Sequence, residues 1–401
     1  MAELETPLRR SLSLPVMTFY GLGTILGAGI YALVGKVAGR AGLHAPLAFA
    51  AAALVAGLTA FSYAELAARL PRSAGEAAYV HEAFRRRWVS RAVGLGIVAT
   101  GLVSAAAIAN AFVGYLDLFV DVSAKAAIVG LIVVLGAIAA VGVEVSSGVA
   151  VLITSLELSG LLLVLAVAGH HLADLPARAS EIALPSGHAW PGVFSGAFLA
   201  FYAFVGFEDM ANMAEEVRYP ERTMPRSIIL AMLLSTLLYL LVATVAVLAV
   251  PIDRLSASDA PLATLVTEGS GLGPNVIGLI SLFAIINGAL VQLVMAARVL
   301  YGMARSEDAP AFLGRVHPRT RTPLPATAVV TAAILVLALF FPLVPLAEMT
   351  SLLILGIYAL VNLACLRLQP RTDLPRPVRV PRVVPGLGFM ACVAALVYRW
   401  L

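Results

Sequence analysis

Gly21-Leu22-Gly23-Thr24-Ile25-Leu26-Gly27-Ala28-Gly29-Ile30-Tyr31 lies in the middle of the first long apolar segment of this chain. Four glycines fall within nine positions, and glycine weakens a regular helix because its backbone loses the most freedom on ordering. Two readings follow. Small residues four apart let helices approach closely. Alternatively the helix is interrupted, and the freed N–H groups at the break can hold an anion.

A second stretch bears on the choice. Phe198-Leu199-Ala200-Phe201-Tyr202-Ala203-Phe204-Val205-Gly206-Phe207-Glu208-Asp209 places a glycine and two acids inside the sixth apolar segment. That again points to unwound backbone. Segments one and six are five apart, so an odd offset sets them antiparallel across a membrane. Interrupted helices at matching positions of two halves are the sequence pointer to an inverted-repeat transport site.

The rest of the composition agrees with a membrane setting. Of 401 residues, 61% are hydrophobic and 12% charged, and mean hydropathy is +0.95. Water-soluble domains carry about 25% charged residues, and no single soluble core hides so much apolar surface. With about 20 apolar residues per crossing, the chain reads as eleven spans: 15–38, 43–69, 92–116, 125–143, 147–169, 190–214, 227–250, 274–304, 324–341, 346–366 and 383–401. Of the 27 Lys and Arg residues, 21 fall on the connectors that share a side with the N-terminus and 6 on the opposite set. The positive-inside rule then places the N-terminus in the cytoplasm and the C-terminus outside. The net charge of +4 therefore speaks of topology rather than of nucleic acid. Met1 to Leu14 does not read as a cleaved signal peptide, and Pro-Arg-rich 370–382 reads as an extended inner loop. Cys365 and Cys392 sit in apolar runs and form neither a disulfide framework nor a metal site.

Specific motifs now carry a resemblance. Gly23-Thr24-Ile25-Leu26-Gly27-Ala28-Gly29-Ile30-Tyr31 resembles the first-helix signature of the amino acid–polyamine–organocation transporters. Ala203-Phe204-Val205-Gly206-Phe207-Glu208 and Glu215-Glu216-Val217-Arg218-Tyr219-Pro220-Glu221-Arg222-Thr223-Met224-Pro225 are similar to their sixth helix and the loop after it. Ala297-Arg298-Val299-Leu300-Tyr301-Gly302-Met303-Ala304-Arg305 resembles the end of their eighth helix, and Ser62-Tyr63-Ala64-Glu65-Leu66 with Pro71-Arg72 their second. The resemblance implies an all-α polytopic membrane protein with a five-plus-five inverted-repeat, leucine-transporter-like fold. The first repeat covers 15–169, the inverted second 190–366, and 383–401 adds one helix. It implies a substrate between helices one and six: the carboxylate on the N–H groups of Gly27, Ala28 and Gly29, the ammonium on carbonyls near Ile25, Tyr202, Ala203 and Val205. Tyr202, Phe204 and Phe207 would form the side-chain pocket, with Asn110 and Asn287 as further candidates. Backbone dipoles can hold both ends of a zwitterion without burying a fixed charge.

Two acids stand out. Glu157 lies near the centre of the fifth span, where a charge costs about 2.5–3.5 kcal/mol on insertion scales; it is either hydrogen-bonded to a neighbouring helix or a proton-coupling group. In some proton-coupled relatives this region holds a lysine, so the glutamate departs from that pattern. Glu208 follows the second break and is either a cap for the next half-helix or a proton sensor or gate. Glu65 pairs more simply with an arginine, and Glu215 and Glu216 with Arg218 and Arg222 read as a loop network. The expectation is a secondary active amino acid transporter of a bacterial inner membrane, coupled to protons, with no cofactor, no metal and no nucleic-acid partner. Exchange is the alternative. Sodium coupling fits less well, since the sodium site that the resemblance implies uses neighbouring hydroxyls on helix eight, and the eighth span here offers Ser281 without an adjacent hydroxyl. A transporter-like nutrient sensor is a further alternative. No clustered catalytic set appears, which argues against an enzyme.

Overall fold

The computed structural model describes residues 10–71, 75–142 and 147–399; Arg9 and Arg72, counted above for topology, lie outside them. Among the described residues the chain is helical apart from turns and one isolated bridge between Leu12 and Val217. The helices are α1 (Leu14–Leu26), α2 (Ala28–Ala41), α3 (Ala45–Arg69), α4 (Gly75–Phe84), α5 (Arg87–Leu116), α6 (Ala124–Val141), α7 (Ser147–Ala168), α8 (Leu175–Ala183), α9 (Trp190–Phe201), α10 (Pro220–Ala249), α11 (Ile252–Ala257), α12 (Pro261–Ser270), α13 (Asn275–Arg305), α14 (Leu324–Phe340), α15 (Leu343–Leu368) and α16 (Val383–Tyr398). Tight 3₁₀ turns at Tyr202–Phe204 and Phe207–Glu216 continue α9.

Eight helical stretches among the described residues are long and apolar enough to cross a bilayer, one of them running through α2 and α3; α1, α14 and α16 are shorter apolar helices. The protein is thus a multi-pass membrane protein. Each of the eleven segments expected from hydropathy contains helix, but the first is split in two and the sixth changes helix type. The Pro-Arg-rich connector after α15 is non-helical over 370–381. It is pinned from below α3: the buried carboxylate of Glu65 accepts from Arg376 Nε (2.8 Å), Gln369 Nε2 (2.9 Å) and Val380 N (3.0 Å). Arg69 approaches the same carboxylate at 3.4 Å. Side-chain hydrogen bonding satisfies a chain that prolines keep out of a helix.

The broken elements sit at the centre. α1 packs against α10 and α7, and α2 against α9 and α11, while α5 and α13 lie face to face beside them. Small residues make these approaches possible. A Cβ at Gly29 would fall 2.5 Å from Ala203 Cα, and one at Gly23 would fall 2.2 Å from Thr154 Oγ1 on α7. Both readings of the glycine-rich stretch therefore apply, at different glycines. The N-terminal strap adds a further tie: Ser11 N and Leu12 N donate to Glu216 O (2.9 and 3.0 Å), and Arg218 N donates to Leu12 O (2.9 Å).

Candidate functional site

The first helix breaks at Gly27. Its φ of −22° and ψ of −148° end α1 and start α2. The first amides of α2 have no acceptor within their own helix, and no side chain caps them. A Cβ at Gly27 would make only ordinary contacts, the nearest with Thr24 O at 3.9 Å, and Gly27 itself lines the cavity described below.

The second break follows Phe204. Val205 is extended and Gly206 takes φ +129°, a region that L side chains avoid. Glycine is required there for a second reason, since its Cβ would lie 2.2 Å from Thr24 O of α1. Helix six does not resume as an α-helix, as its apolar pattern suggests; residues Phe207–Glu216 form the tighter 3₁₀ turn. Glu208 holds this turn: its Oε2 accepts from Gly206 N (2.8 Å) and from Tyr358 OH of α15 (2.5 Å).

A cavity of about 750 Å³ ends at these breaks, a size that holds small ligands. Ile25, Gly27, Ala28, Gly29, Tyr202, Val205 and Asn287 line it, joined by Ser104 and Ile108 of α5 and Gly288 and Val291 of α13. Its lining continues through Tyr20 and Arg298 to Ser11, Leu12, Glu216 and Arg321, which belong to the arginine-rich end of the molecule. Ala203 and Phe204 are buried beside the cavity and do not line it. Ala203 meets Gly29, and the Phe204 ring meets Tyr239 edge-on at 5.1 Å. Phe207 is likewise buried, against Tyr63 and Tyr358. Asn110 lies elsewhere; its Nδ2 donates to Ala338 O and Phe341 O at 3.2 Å, near the far end of α14.

Tyr239 was not among the expected residues. Its hydroxyl lies 2.7 Å from Ile25 O and 3.0 Å from Ala203 O, and so spans the carbonyls of both breaks. One hydroxyl proton cannot satisfy two acceptors at once, which leaves acceptor capacity on this pair of carbonyls. A polar tip in the apolar run Leu237-Leu238-Tyr239-Leu240-Leu241 is the only sequence signal for it. Tyr202 OH lies 3.1 Å from Ser104 Oγ, which ties the sixth helix to α5.

Glu157 is buried on α7 beneath the cavity wall. Its Oε1 accepts from Asn287 Nδ2 (3.0 Å), its Oε2 has no partner, and its backbone carbonyl accepts from Tyr31 OH (2.5 Å). Ser281, the hydroxyl weighed for sodium, donates to Ile277 O of its own helix (2.7 Å). Among the described residues no group of three or more His, Cys, Asp or Glu side chains could hold a metal ion.

The end opposite the arginine-rich mouth is closed. Tyr115 OH donates to Tyr31 O (2.7 Å), and Lys36 Nζ reaches Asp259 Oδ1 and Ser256 O, each at 3.0 Å. Arg40 pairs with Glu348, which also takes Arg399 at 3.2 Å. Backbones touch as well: a Cβ at Gly35 would lie 2.2 Å from Leu255 O.

A multi-pass bundle in which two interrupted helices meet at a cavity of small-molecule size fits a membrane permease. The amino acid permease family model matches residues 12–400, and the chain belongs to that family. It is 34% identical to an uncharacterized transporter of Mycobacterium tuberculosis, over 98% of this chain and 86% of that protein. It is 28% identical to the branched-chain amino acid permease of Bacillus subtilis, over 97% of this chain and 88% of the other. Identity to the mouse cationic amino acid transporter 4 is 29%, over 92% of this chain and 61% of the longer protein.

Proposed function

We propose that this protein is a secondary active transporter that carries amino acids across a bacterial inner membrane by alternating access, coupled to protons. The observation that carries the reading is the cavity whose blind end is built from the backbone of both helix breaks. Relatives named as amino acid permeases and cationic amino acid transporters agree with an amino acid cargo and with a carrier rather than an enzyme. On this reading the chain crosses eleven times in a five-plus-five inverted repeat over 15–169 and 190–366. The N-terminus is then cytoplasmic, the C-terminus periplasmic, and the cavity faces inward.

The substrate carboxylate rests on the amides of Gly27, Ala28 and Gly29, where the positive end of α2 favours an anion. Its ammonium meets carbonyls of the opposite segments, Ile25 and the Tyr202–Val205 turn, beside the hydroxyl of Tyr239. Asn287 links this site to Glu157. A proton on the free Oε2 of Glu157 removes a charge that the membrane interior disfavours, and its uptake and release couple proton and substrate. Glu208 acts as a hinge tie between the second break and α15. Outward opening requires Lys36 to leave Asp259 and Arg40 to leave Glu348.

Uptake of a radiolabelled amino-acid panel into proteoliposomes tests the reading, with inward proton, inward sodium and counter-substrate gradients imposed in turn. Proton-driven uptake indifferent to sodium supports symport. Uptake only into preloaded vesicles makes the protein an exchanger, and no uptake under any gradient refutes transport of amino acids.

A further inference from the structure

The charged residues that line the cavity are Glu216, Arg298 and Arg321, all toward the mouth. Around the breaks the lining is Ile25, Ile108, Val205 and Val291, with Thr24, Thr154, the Ser104–Tyr202 hydroxyl pair, Asn287 and Gln292 as uncharged polar groups. The acids nearest the breaks, Glu157, Glu208 and Asp209, do not line the cavity. Glu208 accepts from Tyr358 OH and Gly206 N, and Glu157 from the Asn287 amide. A charged side chain placed at the blind end would give up water with no counter-ion, which is expensive. Apolar groups gain there instead.

Gly288 marks where the side chain goes. Most central glycines are filled by a neighbour: a Cβ at Gly29 or Gly206 would overlap backbone at 2.5 or 2.2 Å. At Gly288 a Cβ would sit 3.6 Å from both Ala28 N and Ile108 Cδ1, and 4.0 Å from Gly27 Cα. These are ordinary contacts, so the site beside the first amide of α2 is vacant but close-fitting. It touches the amide that receives the carboxylate and a methyl of Ile108.

We infer that the substrate is a neutral amino acid with an aliphatic side chain, such as leucine, isoleucine or valine, seated on Ile108 in the gap left by Gly288. Gly288 sets the size limit. The inference rests on the reading of the protein as an amino acid transporter and goes beyond it in naming the class and the residue that selects within it.

Equilibrium binding of L-leucine, L-alanine, L-phenylalanine, L-arginine and L-glutamate to the purified full chain tests it, with Gly288→Ala, Ile108→Ala and Gly130→Ala compared. Gly130 on α6 has nothing within 4 Å of its Cβ and serves as the control. Wild type is expected to bind leucine about a hundredfold more tightly than arginine or glutamate. Gly288→Ala lowers leucine affinity about tenfold or more, as one misplaced methyl does in a fitted apolar pocket, while alanine changes less than about threefold on the same grounds. Ile108→Ala moves preference toward phenylalanine. Arginine binding as well as leucine overturns the neutral class. Leucine affinity unchanged by both Gly288→Ala and Ile108→Ala overturns the placement. Failure to bind any of the five contradicts the transport reading itself.

Discussion

Gly206→Ala probes the contact on which the site depends, the approach of the second break to the first. The new methyl would lie 2.2 Å from Thr24 O and 2.6 Å from Thr24 C, about 1 Å inside an ordinary carbon–oxygen approach. Both atoms are backbone, so no side-chain rotation relieves the overlap. Overpacking of this kind costs about 1–3 kcal/mol. The φ of +129° adds a conformational penalty for an L residue of about 1–2 kcal/mol. For a chain of 401 residues, a loss of about 2–5 kcal/mol corresponds to a melting shift of roughly 2–6 °C. Thermal unfolding in detergent, followed by the monodisperse peak on size exclusion, reads this directly against Gly130→Ala, whose methyl meets nothing. Gly206→Ala melting together with that control would refute the abutment of the two breaks.

Three other outcomes follow from the geometry. Glu157→Gln keeps an oxygen for Asn287 and loses the exchangeable proton; binding should persist while uptake ceases to respond to an imposed pH gradient, and an unaltered response returns Glu157 to a structural role. Tyr239→Phe removes the hydroxyl shared by Ile25 O and Ala203 O; stranding these buried carbonyls costs about 1–3 kcal/mol of stability and lowers the melting point of the substrate-free protein, and an unchanged melting point would contradict it. Hydrogen bonds from Arg91 and Arg87, with their charge, hold Asp308 below the usual carboxylate range. A lowered folded pKa contributes stability above the unfolded value near 3.9 and loses it as pH falls through the folded one. Asp308→Asn should therefore blunt the acid-side fall in melting temperature below about pH 4, and an unchanged acid limb counts against the pairing.

Much of this arrangement is legible in the chain, for identifiable reasons. Hydropathy locates the helices because a bilayer demands long apolar runs; glycine density marks the first break, and Gly206 with the two acids after it marks the second, where the backbone favours glycine. What each glycine does is not legible. Gly27 lines the cavity, Gly29 faces Ala203, and Gly23 faces Thr154, so partners far along the chain decide the role. Asn110 and Asn287 look alike as lone polar groups in apolar spans. Only the packing of α5 and α13 sends one to the carbonyls near the end of α14 and the other to Glu157. It also follows that Gly29→Val, an obvious substitution from the sequence, tests packing and not the anion site, whereas Gly27→Ala places its methyl in the cavity.

The central claim is that backbone from both breaks holds the two ends of a zwitterion. Its most direct test is competition binding on the purified protein with the best-bound amino acid and two analogues of it, one without the amino group and one without the carboxylate. The account predicts that each analogue binds about a hundredfold or more weakly, since either loss strands buried polar backbone. An analogue that binds within about threefold of the parent, far short of the discrimination such a site gives, contradicts it.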